Sequence, residues 1–211
     1  MIRVVLFDLD GVIRHFDPGH LADIERRHGL AAGTIEGIAF AKPLIEEVTT
    51  GRITRAEWVR RVGEAAGIPS AAEEWGGQPA ALDESIVELS DELRGLGLTT
   101  AVLTNGTDTI PAEIAALGIG DRFDAIFNSA DIGFVKPDVR AFEHVLGELG
   151  VTGAEVFFTD DTASKLVGAD RLSMRTHLFD GVDGLRDRLI AAGVAVRRTP
   201  VAPQPSVGAD S

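Results

Sequence analysis

A four-residue apolar run, Val4-Val5-Leu6-Phe7, stops abruptly in Asp8-Leu9-Asp10-Gly11. The run reads as a buried strand. Side chains alternate along a strand with period two, so Asp8 and Asp10 would share a face if the strand continued. Gly11 marks the point where the strand ends and the backbone turns sharply. Folding alone gives no reason to finish a buried strand on two carboxylates. The carboxyl end of such a strand is where open α/β sheets place their ligands.

The pattern recurs down the chain. Residues 98–103 form a strand-like run that stops at Thr104-Asn105-Gly106. A third run, 123–127, is followed by a loop that reaches Lys136-Pro137-Asp138. A fourth, Val156-Phe157-Phe158, ends in Thr159-Asp160-Asp161, and 176–179 reads as a fifth. Helical periodicity fills the spaces between, over 84–96, 111–117, 138–149, the stretch up to Leu172, and 182–192. Strands alternating with helices predict a parallel sheet covered on both faces, a three-layer Rossmann-like α/β core.

Between the first strand and the rest, apolar spacing turns helical from His20 to about Ala66, with a capping-box pattern at Thr54 and Glu57. Residues 70–79 read as loop. The expected organisation is an α/β core of residues 1–14 and 81–196 and a small α-helical cap of residues 15–80. Residues 197–211, rich in Pro, Ser, Gly and Ala, are expected to be a disordered tail.

Charge and composition narrow the function. The formal net charge is −13, which argues against nucleic acid and anionic membranes as partners. No apolar run approaches the ~20 residues of a membrane span, and the N-terminus reads as no signal peptide. The chain has no cysteine, which removes disulfides, thiolate nucleophiles and cysteine-based zinc sites. These features fit a cytoplasmic protein, and a monomer or homodimer is the expected state.

In a parallel sheet the polar strand ends lie on one edge. Asp8, Asp10, Asp160, Asp161, Thr104, Asn105 and Lys136 then converge from distant parts of the sequence. Uncompensated carboxylates would repel by several kcal/mol per close pair at an effective dielectric of about 20. A hard divalent cation resolves this, and an oxygen-only ligand set points to Mg²⁺. Thr104, Asn105 and Lys136 are donors suited to phosphoryl oxygens. The set reads as phosphoryl transfer through an aspartyl-phosphate. Taken singly, each motif reads as an ordinary turn or helix cap.

With these four motifs in order — FDLDGV at 7–12, LTNG at 103–106, VKPD at 135–138 and FFTDD at 157–161 — the chain resembles the haloacid dehalogenase superfamily, in its phosphatase branch. The resemblance covers about residues 1–193 and implies roles for each position. Asp8 is the nucleophile and a Mg²⁺ ligand. Asp10 protonates the leaving oxygen and then activates water, and its backbone carbonyl binds the metal. Thr104 and the amide of Asn105 hold the phosphoryl group. Lys136 offsets the charge of Asp8 and the phosphate. Asp161 binds the metal, with Asp160 beside it. The substrate is a small phosphorylated metabolite. An acid at Asp10 and the pair at 160–161 argue against the dehalogenase branch. A phosphohexomutase, a 2-haloacid dehalogenase and a non-catalytic phospho-ligand binding protein are the other readings.

One position departs from the family pattern. Relatives usually carry Asp or Asn four residues after the double Asp, and this chain carries Lys165. That lysine either pairs with Asp160 or Asp161 and weakens metal binding or faces solvent. Arg14 and His15 are expected at the surface or a hinge. Trp58 and Trp75 are expected in the core of the helical insertion rather than against substrate.

Overall fold

The computed structural model of the protein describes residues 1–198. Its strands are β1 Val4–Phe7, β2 Arg14–Phe16, β3 Ala80–Leu82, β4 Thr99–Thr104, β5 Ala125–Asn128, β6 Val156–Asp160 and β7 Arg175–Leu178. Its helices are α1 Pro18–Arg27, α2 Thr34–Ala39, α3 Leu44–Thr49, α4 Arg55–Ala66, α5 Pro69–Gly76, α6 Glu84–Gly95, α7 Ile110–Ala116, α8 Ser129–Ile132, α9 Val139–Leu149, α10 Ala163–Arg171 and α11 Val182–Ala191. The tail expected over 197–211 falls almost wholly outside the described residues.

Five parallel strands form one sheet in the order β5-β4-β1-β6-β7. β1 is central. Phe7, the last residue of β1, stands beside Val102 of β4 and Thr159 of β6, so β6 runs one residue and β4 two residues further toward the same edge. The period-two alternation of β1 serves both faces. Val5 and Phe7 join Val102, Phe157, Leu89 and Leu189 on one side. Val4 and Leu6 join Leu103, Phe158, Phe142 and Leu166 on the other. Each such buried side chain contributes about 1.5–3 kcal/mol relative to exposure. This two-sided burial explains why the strand is an unbroken apolar run.

Helices α1 to α5 build a separate apolar cluster around Ile24, Ile35, Val62, Trp58 and Trp75. The chain enters and leaves this segment through an antiparallel ribbon, β2 with β3, in which Arg14 faces Leu82 and Phe16 faces Ala80. The ribbon straddles the expected boundaries at 14/15 and 80/81. Three-residue strands far apart in sequence carry too little alternation to be read locally. The helical segment also touches the loops at the carboxyl edge of the sheet. Ser129 Oγ donates to Thr49 O at 2.6 Å, and the Arg55 backbone N–H donates to Asp108 Oδ1 at 2.6 Å.

Residues 69–76, expected mostly as loop, form α5 instead. Pro69 stands in its first turn, where a missing N–H costs nothing. Ala71, Ala72 and Trp75 share its buried face. The glycine pair and the acid pair in that stretch masked the short helical spacing. At α4, Thr54 Oγ1 accepts from the Glu57 backbone N–H as expected, whereas the Glu57 carboxylate turns to Arg60 and Arg61. No helix among the described residues is long and apolar enough to cross a membrane.

Candidate active site

Asp8 follows the last residue of β1 and is 1% exposed. Its Oδ1 accepts the Leu9 backbone N–H at 2.7 Å and lies 2.7 Å from Lys136 Nζ. The same ammonium donates to Asp160 Oδ2 at 2.7 Å. Lys136 is thus clamped between the ends of β1 and β6, with no exposed side-chain surface. Asn105, at the end of β4, fixes its backbone from both sides. Asn105 Nδ2 donates to Lys136 O at 2.9 Å, and Lys136 N–H donates to Asn105 Oδ1 at 2.7 Å. The Asn105 carboxamide is therefore committed to Lys136, which leaves its backbone amide as the group available to a ligand. Thr104 is buried at the end of β4 beside it.

Asp8, Asp160 and Asp161 each bring one carboxylate oxygen within 4.8 Å of the others. Oxygen-only donors of this charge and spacing suit a hard divalent cation. Gly11 makes the approach possible. It adopts φ +88°, and a Cβ there would lie 2.1 Å from Asp161 Oδ2. The first and fourth motifs are packed together through the one residue that has no side chain.

Lys165 points into this cluster. Its Nζ lies 3.3 Å from Asp8 Oδ2 and 3.8 Å from both Asp160 Oδ1 and Asp161 Oδ1. Of the sequence expectations for Lys165, the structure thus shows pairing with the acids, and adds Asp8 as the nearest of them. Two ammoniums against three carboxylates polarise the set. Burial pushes the Asp8 carboxyl up, but Lys136 and then Lys165 outweigh it and hold Asp8 below the usual carboxylate range. Burial pushes Asp160 up to about 6 against the pull of Lys136, with the Asp8 charge adding to the rise. Of the two buried carboxylates, Asp8 is the one kept ionised, as a nucleophile requires. The donor set fits a divalent ion, and Lys165, on a flexible stem at the rim, can yield its place to one.

Asp10 turns away from the cluster, into a cavity between the sheet edge and the helical segment. Arg14 Nε donates to Asp10 Oδ1 at 2.5 Å, and Arg14 NH1 donates to Glu113 Oε2 at 2.7 Å. Glu113 Oε1 accepts from Arg55 NH1 of α4 at 2.6 Å. Arg14, expected at the surface or a hinge, is only 4% exposed and joins Asp10 to this chain of charges. Sequence reasoning missed Glu113 and Arg55 altogether, because only the folded chain brings α4 and α7 to the same spot. The spacing of Arg14 four residues after Asp10 was the one available signal. Trp58 and Trp75 are buried in the helical cluster as expected, and each also lines the cavity.

A parallel sheet with carboxylates, a buried lysine and a hydroxyl at its carboxyl edge defines a doubly wound α/β enzyme. The family model for haloacid dehalogenase-like hydrolases matches residues 2–170, and the chain belongs to that family. It is similar to the phosphatase MT3486 of Mycobacterium tuberculosis, 30% identical over 90% of this chain and 92% of that protein. It is 28% identical to the phosphoglycolate phosphatase of Pectobacterium atrosepticum, over 83% of this chain and 79% of that one. Among solved structures, an enzyme of the same family from Bacteroides thetaiotaomicron, crystallised with magnesium and inorganic phosphate, superimposes with a TM-score of 0.71. The match is at 21% identity, over 84% of this chain and 93% of that one, and shows the shared fold.

Proposed function

We propose that this hydrolase is a Mg²⁺-dependent phosphatase that cleaves a small phosphorylated metabolite through an aspartyl-phosphate. The observation that carries the reading is the buried, ionised Asp8, held by Lys136, with Asp10 two residues on and facing the cavity. The similarity to the mycobacterial phosphatase supports it, as does the magnesium and phosphate bound by the Bacteroides enzyme.

In the first step an Asp8 oxygen attacks phosphorus. The ester P–O bond breaks, its electron pair stays on the leaving oxygen, and Asp10 delivers a proton there. In the second, Asp10 takes a proton from water, the water oxygen attacks phosphorus, and the bond to Asp8 breaks to release phosphate. Acid–base help of this kind is worth roughly 10²–10⁴ in rate. Thr104 and the backbone amide of Asn105 hold the phosphoryl oxygens, while Lys136 balances their charge. Mg²⁺, held by Asp8, Asp160, Asp161 and the Asp10 carbonyl, would neutralise charge on the transferring group. The helical segment 15–80 acts as a cap over the core of 1–14 and 81–196, excluding water during the first step. A cytoplasmic monomer or homodimer, without nucleic acid or membrane partners, belongs to the same proposal.

Phosphate release from a panel of phosphate monoesters, with Mg²⁺ or with EDTA, tests it. Metal-dependent turnover that disappears in Asp8→Asn is the expected result. Turnover surviving in Asp8→Asn would overturn the mechanism, and halide release from a haloacid without metal would overturn the reaction class.

A further inference from the structure

The cavity that Asp10 and Asn105 floor encloses about 390 Å³, within the range of small-molecule sites. Its walls are mainly carbon, formed by Phe16, Leu21, Phe40, Ile45, Trp58 and Trp75. The indoles of Trp58 and Trp75 meet edge-to-face with centroids 5.0 Å apart, and the Phe40 ring stands 6.1 Å from Trp58. Trp58 is not a polar handle for a ligand, because its indole N–H already donates to Ala39 O at 3.0 Å. Phe40 is 54% exposed although it adjoins a buried aromatic pair. An aromatic ring left half in water beside such a pair is a surface that an apolar ligand would cover.

The charges of the cavity point the same way. Its cations are Arg14 and Arg55, and both are already engaged. Arg14 serves Asp10 and Glu113, and Arg55 serves Glu113 and the Gly76 carbonyl. The lining also carries Asp17 and Glu36 besides Asp10 and Glu113, so carboxylates outnumber guanidiniums. A substrate with a second phosphate or a carboxylate would find net negative charge there, with no uncommitted cation among the described lining residues to receive it.

Building on the phosphatase reading, we infer that the substrate is the phosphate monoester of an apolar alcohol or phenol, rather than a sugar phosphate, a nucleotide or a phosphorylated acid. The phosphoryl group would sit at Asp8, the ester oxygen at Asp10, and the carbon body against Phe40, Trp58 and Ile45. Transfer of that body from water into the cavity supplies the binding energy.

Two measurements test this. The first compares kcat/KM for naphthyl phosphate and decyl phosphate with that for glycerol phosphate, glucose phosphate and phosphoglycolate. The apolar esters are expected to lead by about 10²-fold, and Phe40→Ser is expected to reduce the naphthyl-to-glycerol ratio about tenfold. The second titrates naphthol, the bare alcohol, against tryptophan fluorescence. Saturable binding that weakens in Phe40→Ser is expected. Polar and apolar esters turned over equally, with no naphthol binding, would overturn this inference and leave the phosphatase reading standing. Naphthol binding without turnover of any ester would support the cavity's assignment and overturn the phosphatase reading instead.

Discussion

The ammonium of Lys165 lies 3.3 Å from Asp8 Oδ2, while Lys136 engages the other oxygen, Oδ1, at 2.7 Å. It reaches this position from the first turn of α10, and it shares the three acids that can hold a metal. The acids raise its pKa above the ordinary lysine value, against the opposing effect of its own burial, so it stays charged at neutral pH. An ammonium among metal ligands competes with a metal for the same negative charge.

Removing that competitor should tighten metal binding. Lys165→Gln is expected to lower the Kd for Mg²⁺, or for Mn²⁺ as its stand-in, by about tenfold, a shift well within the Coulomb energy of one charge at this distance. Isothermal titration of the two proteins checks it. An unchanged or weaker Kd in the variant would show that Lys165 supports the metal or the phosphate instead of competing.

Lys136 should be the least replaceable cation. It is buried and bonded to both Asp8 and Asp160. Lys136→Ala would leave two buried carboxylates without it, and breaking a buried pair in this way costs about 3–5 kcal/mol. Denaturant unfolding should record a loss of this size together with loss of activity. A fully stable Lys136→Ala protein would contradict the clamp.

Gly11→Ala should damage the site more than the fold. The positive φ alone costs about 1–2 kcal/mol for a residue with a Cβ. The new methyl would also run into the Asp161 carboxylate, 2.1 Å away in the present geometry. Displacing Asp161 should weaken metal binding and lower kcat, while circular dichroism keeps its native shape. Normal metal affinity in this variant would mean that Asp161 is not a ligand.

Glu113 should make the junction between the helical segment and the core sensitive to acid. Burial raises its pKa, but bonds from Thr109 and Arg14 and the charges of Arg14 and Arg55 bring it below the ordinary 4.5. The folded state therefore favours the charged form. Its stabilisation is complete above pH 4.5 and is lost as the pH falls through the lower folded value. Glu113→Gln should be about 1–2 kcal/mol less stable at neutral pH, allowing for partial solvent screening. The difference from the natural protein, followed by unfolding at a series of pH values, should close only below pH 4.5. A difference that stays constant down to strong acid would show that the carboxylate charge contributes nothing.

The fold was largely legible because strands buried on both faces must be continuous apolar runs, and those runs stop where the chain meets the site. Asp8, Thr104, Lys136 and Asp160 all occupy strand ends or the loops beside them, so their placement at one sheet edge follows from a parallel sheet alone, whereas the turn of Asp10 toward Arg14 does not. The ribbon of β2 and β3 was not legible, since three residues per strand hold no period. Helix α5 was obscured by glycines that end it and acids that sit on its solvent face. Asn105 was legible as a polar strand end, but its carboxamide is spent on holding Lys136, a division between side chain and backbone that sequence does not express.

The sequence by itself determined the α/β alternation, the family motifs and the identity of the acids at the sheet edge. Those depend on local burial periodicity and on the types of residue at strand ends. Only the tertiary structure decided the partner of Lys165, which lies 157 positions from Asp8 along the chain. It also decided that Arg14 links Asp10 through Glu113 to Arg55, and that aromatic rings from the helical segment wall the cavity above Asp10. Contacts of that kind depend on where whole elements pack against one another, and no short-range pattern records it.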